Sequence, residues 1–87
     1  MSSGTTRSGV ADQVCGIVAG IMGVHPADVS ETASPDSLRS WDSLRHMKLI
    51  LAVEETFGVR LTDEEIVSIT DVRSIVALVE RKRGVEA

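Results

Sequence analysis

An 87-residue chain with one Cys, one Trp, one Phe and no Tyr has room for one small domain with an aliphatic core, and it cannot close an intrachain disulfide. Its formal charge of −4, of which residues 1–42 carry −3 and residues 43–87 carry −1, speaks against nucleic acid as a partner. No apolar run reaches the length of a membrane span, so no membrane partner is expected. Residues 1–9 are polar and small, lack the apolar middle of a signal peptide and are expected to form a flexible tail. A monomer in the reducing cytoplasm is the expectation.

Residues 10–22 predict the first helix. Val10, Val14, Ile17, Val18, Ile21 and Met22 recur at helical spacing and define one apolar face. Gly16 and Gly20 lie four apart, a pair that would let a neighbouring backbone approach closely, and Gly23 is placed to stop the helix. Cys15 reads as a small buried apolar residue. Residues 24–42 then form a connection too long to be an idle loop in a small domain. Val24, Val29 and Leu38 are its candidate pins to the core, and Trp41 is expected to cover its junction with the next helix.

Residues 43–57 predict the second helix, with Asp42 at the cap and Gly58 as the stop. Thr62 and Glu65 form a capping box that opens a short third helix, through about residue 68. Thr70-Asp71 offers the next cap, and Val72, Ile75, Val76 and Val79 give the last apolar stripe. Arg81-Lys82-Arg83 complements the dipole at its end. The expected fold is all-α: a four-helix bundle of three main helices, one short third helix and a long first loop. The domain is expected at residues 10–83, with tails at 1–9 and 84–87.

The second helix carries two apolar stripes. With Leu44 at zero and about 100° per residue, Leu49, Ile50, Val53 and Phe57 cluster near 200°, and Leu44, Met47 and Leu51 near 330°. One stripe suffices to pack a helix on a core. The other either belongs to a helix buried nearly all round or faces a partner, and the pattern leaves both open.

The tripeptide Asp-Ser-Leu occurs twice, at residues 36–38 and 42–44. Only the second opens a long amphipathic helix, which singles out Ser43. A serine there also has an ordinary role as a helix-start residue. His25 and His46 are too isolated for a metal site. His46 lies near Ser43 and could serve as a base, but no third member of a hydrolytic set is evident.

From Asp42 to Phe57 the chain resembles the second helix of acyl carrier proteins: Asp-Ser-Leu, apolar positions, paired Glu54-Glu55 and a Phe. The run from Gly23 to Val29 resembles the end of that family's first helix and the start of its loop. The run from Phe57 to Glu65 resembles its link into the short third helix, and Thr70-Asp71-Val72 the start of its last helix. The likeness spans residues 10–80.

The resemblance implies a stand-alone carrier without catalytic activity of its own. Ser43 would hold 4′-phosphopantetheine, added from coenzyme A by a phosphopantetheinyl transferase, with Asp42 assisting. The arm's thiol would carry an acyl group as a thioester to acyl-loading and acyl-accepting enzymes, which Leu44, Arg45, Met47, Lys48 and Leu51 would meet. Ser40 stands where the family commonly has Gly. Asp42 favours acyl over peptidyl or aminoacyl carriers, and Trp41 is associated with specialised, polyketide-like pathways. Arg45 and Lys48 replace the acids usual in fatty-acid carriers, which implies a dedicated partner with acidic groups. The alternatives are a helical adaptor without a prosthetic group and a small enzyme using Ser43 and His46.

Overall fold

Four α-helices follow in chain order within residues 9–83, the residues that this computed structural model describes. They are α1 (Gly9–Met22), α2 (Ser43–Phe57), α3 (Asp63–Ser68) and α4 (Val72–Arg83), with one 3-10 turn at Pro26–Asp28 and no strand among the described residues. Three main helices, a short third helix and a long first loop are the architecture the periodicity predicts. Helix α1 begins at Gly9, inside the predicted tail 1–9; residues 1–8 and 84–87, assigned to tails, lie outside the described residues.

Local chemistry fixes the helix ends. Asp42 caps α2 through Oδ1, which accepts from the Arg45 N–H at 2.9 Å. Thr62 and Glu65 exchange side-chain and backbone hydrogen bonds across the start of α3. Asp71 and Ser74 do the same for α4: Asp71 Oδ1 accepts from the Ser74 N–H, and Ser74 Oγ accepts from the Asp71 N–H. Gly23 and Gly58 end α1 and α2 in the left-handed region, at φ 73° and 67°. A side chain at either position would strain the backbone.

Helix α1 packs against both α2 and α4. Val14, Val18 and Met22 are buried there, together with the small residues Ala11, Cys15 and Ala19. Gly16 and Gly20 are exposed, and a Cβ on either would meet nothing within 4 Å. The close approach expected at the glycines is therefore not made there; the small residues that α1 buries lie on its opposite side. About 100° per residue turns both glycines away from the face that Val14 and Val18 bury.

The long loop is held down. Val29, Ala33 and Trp41 are buried, and Val24 and Leu38 pack against the core from partly buried positions. The loop also supplies acceptors to α4: Ala33 O accepts from the Val72 N–H at 3.0 Å and Glu31 O from the Arg73 N–H at 2.8 Å. These satisfy donors that the first turn of a helix cannot pair internally. Helix α3 is tied to its neighbour by Lys82 Nζ, 2.7 Å from Glu65 Oε1. The Arg83 guanidinium lies 5.7 Å from the Phe57 ring centre, joining α4 to α2.

Candidate functional site

Ser43 is the first residue of α2 and is exposed. Its hydroxyl has no hydrogen-bond partner among the described residues, so the oxygen faces solvent at the positive end of a fifteen-residue helix. Ser37, in the other Asp-Ser-Leu, differs. It sits in a turn where its Oγ accepts from the Ser34 N–H and donates to the Ser34 carbonyl. The two tripeptides thus separate as their sequence context predicts.

Asp42 and Arg45 form a unit beside Ser43. The carboxylate accepts from the Arg45 N–H and lies 3.3 Å from the Arg45 guanidinium. The Asp42 carboxyl titrates below the usual carboxylate value, chiefly because the Arg45 N–H bonds its charged form and then because the guanidinium is near. Much of the Asp42 charge is therefore met within the site.

Helix α2 presents the two stripes on opposite fates. Leu49, Ile50 and Val53 are fully buried. Leu44, Met47 and Leu51 are 64%, 47% and 57% exposed. A helix buried all round is ruled out by those three residues. Lys48 is exposed within the same stripe, and Glu55 lies further along it. Glu54 instead turns inward, its Oε2 accepting from the Leu61 N–H and anchoring the link to α3.

A groove of about 460 Å³ opens beside Ser43, lined by Pro35, Trp41, Asp42, Ser43, His46, Met47 and Ile69. Its mostly apolar walls and exposed hydroxyl fit a slender arm bound through a phosphodiester, and Arg45 supplies a cation two residues away. Pro35 and Ile69 had no sequence signal for this place, because they come from separate segments. Ser40, in the place of the family's usual Gly, donates from Oγ to the Met22 carbonyl and fastens the loop end to α1. His46 does not address Ser43: Nδ1 accepts from the Trp41 indole N–H, and Nε2 lies against the Ile66 carbonyl. Among the described residues no group of three His, Cys, Asp or Glu is set to hold a metal.

Residues 12–79 match the family described as "Phosphopantetheine attachment site". The chain is also 36% identical, over 75 residues, to an acyl carrier protein of Solidesulfovibrio magneticus, covering 86% of this chain and 96% of that one. The chain belongs to the acyl carrier protein family. Its prosthetic group is the 4′-phosphopantetheine of such carriers. The fold agrees: the solution structure of a holo acyl carrier protein from Geobacter metallireducens superposes with a TM-score of 0.78 over 88% of each chain, at 22% identity. Acyl carrier proteins are carriers rather than catalysts, and no described helix here is long and apolar enough to cross a membrane.

Proposed function

We propose that Ser43 is the attachment residue and that this chain is a stand-alone acyl carrier, without catalysis of its own, serving a specialised cytoplasmic pathway. The observation that carries the reading is the exposed Ser43 hydroxyl at the start of α2, without a hydrogen-bond partner among the described residues, with an exposed apolar stripe running away from it. In the transfer, Ser43 Oγ forms the new bond to phosphorus. The pyrophosphate bond of coenzyme A breaks, its nucleotide half leaves, and the hydroxyl proton passes to a base on the phosphopantetheinyl transferase. The helix start tolerates the added negative charge through its N–H groups and dipole. When bound, the arm supplies a terminal thiol on which an acyl group can ride.

Leu44, Met47, Leu51 and Lys48 form the face offered to acyl-loading and acyl-accepting enzymes. Exposed apolar side chains grouped in one stripe are unusual on a monomer without a partner. Lys48 among them favours an enzyme with carboxylates opposite it. Arg45 contributes less free charge, being paired with Asp42.

Intact mass after incubation with coenzyme A and a broad-specificity transferase tests the assignment. The wild type and Ser37→Ala should each gain one phosphopantetheinyl group, and Ser43→Ala none. An unmodified wild type, with the transferase active on another carrier, would overturn it and favour the adaptor reading.

A further inference from the structure

One wall of the groove beside Ser43 is held by an imidazole with a partner on each ring nitrogen. The Trp41 indole N–H can only donate, and it lies 3.0 Å from His46 Nδ1. Nδ1 must therefore offer a lone pair, which leaves the ring proton on Nε2. Independently, Nε2 lies 3.4 Å from the Ile66 carbonyl oxygen, which can only accept. Two partners on opposite sides of one ring select the same neutral tautomer. The rings of Trp41 and His46 are inclined at 26°, with centroids 6.2 Å apart. One imidazole thus joins the end of the loop, the first turn of α2 and the end of α3.

An imidazolium carries a proton on both nitrogens, so it would set a donor against the Trp41 donor. From the loop, Pro35 and Trp41 face the groove uncharged, as does Ile69 just past the end of α3; Ile66 of α3 brings only its carbonyl to the ring. Glu65 of α3 is engaged by Lys82 and Thr62. At the cap of α2, the titratable neighbour lining the groove is Asp42, and its carboxylate is engaged by Arg45.

We propose that His46 is a positioning residue whose neutral Nε2–H form clips the Ser43 site together, and that its protonation releases the Trp41 wall and makes presentation of Ser43 proton-sensitive. The clip stands on geometry alone; its consequence for loading rests on the reading of Ser43 as the attachment residue.

Nitrogen-15 NMR of the apo protein tests the clip. At about pH 8 the His46 ring should show the Nε2–H tautomer, and on acidification to about pH 5 the Trp41 indole N–H should move in step with the ring. In His46→Asn, which keeps an acceptor near the Nδ1 position but takes up no proton, the Trp41 signal should stay still. An Nδ1–H tautomer, or a Trp41 signal that titrates equally in the variant, would reject the clip. If that variant does not fold, Trp41→Phe serves: removing the donor should turn His46 toward a tautomer mixture, and an unchanged tautomer counts against the clip.

Arm addition by one transferase, measured side by side for wild type and His46→Asn, cancels the enzyme's own pH profile. The wild-type to variant rate ratio should fall by about two- to tenfold from about pH 8 to about pH 5, what one ordinary hydrogen bond is worth. A ratio flat with pH rejects the positioning role. Absence of arm addition to either protein at any pH would instead reject Ser43 as the attachment residue, while the NMR titration still decides the clip.

Discussion

The two apolar faces of α2 are made of the same kinds of residue and come to opposite ends. Leu49, Ile50 and Val53 lie in the core, where each removes its whole side chain from water. Met47 and Leu51, one or two residues away in sequence, and Leu44, five before Leu49, stay largely in solvent. Folding requires the first set and gains little from the second. A face that stability does not need, placed beside an exposed hydroxyl, is the face proposed above for contact with another molecule.

The sharpest way to break that distinction is to truncate one leucine from each face. Leu49→Ala should cost about 2–5 kcal/mol in denaturant unfolding, from lost transfer energy and the cavity left behind. Leu51→Ala should stay within about 0.5 kcal/mol of wild type. Similar losses at both would show that the faces do not differ in the folded protein as drawn. Lys48→Glu addresses the exposed face from the charge side. It should lower kcat/KM of the acyl-loading enzyme by about tenfold at low ionic strength, and less as salt is added. Unchanged kinetics with an unchanged Tm would remove Lys48 from the docking face.

The cap between the two faces comes next. Asp42→Ala should lower Tm by a few degrees at neutral pH. The folded state holds the Asp42 carboxyl below its ordinary value, so the contribution is complete above the ordinary carboxylate range. It fades as pH falls through the folded value. The gap in Tm between wild type and variant should therefore close on acidification, and a gap constant with pH would show that the carboxylate is not the cap. The smallest effect belongs to α1. Gly16→Ala and Gly20→Ala should each stabilise by about 0.5–1 kcal/mol, since both positions are helical and open. Destabilisation by either would mean that the exposed face of α1 is covered by something.

Helix positions and caps were legible because their causes are local. Asp42, Thr62 with Glu65, and Asp71 with Ser74 lie three residues from the groups they bind. Helical spacing likewise separated the stripes of α2, although only the fold decides which of them is covered. The glycine pair of α1 misled, because four-residue spacing marks a shared face without saying which way that face turns. The small residues Ala11, Cys15 and Ala19 were the better signal, being spaced with Val14 and Val18. The sequence singled out Ser43 and Asp42 as candidates but gave no sign of the groups that surround them. Trp41 with His46, Ser40 with Met22, and Pro35 with Ile69 meet only because the loop is folded back across the helices. The pairing of Arg45 with Asp42, three apart on one helix, could have been read from spacing.

The carbonyls of Glu31 and Ala33 receive the first two amides of α4. Helix ends ordinarily fray and exchange their amide hydrogens quickly. Here the exchange of Val72 and Arg73 is governed by a segment far away in sequence. Lifting the loop must expose both amides at once, so the pair works as a built-in gauge of loop opening. Any cargo or enzyme that pries the loop from the bundle would register at α4, on the amides of residues it never touches.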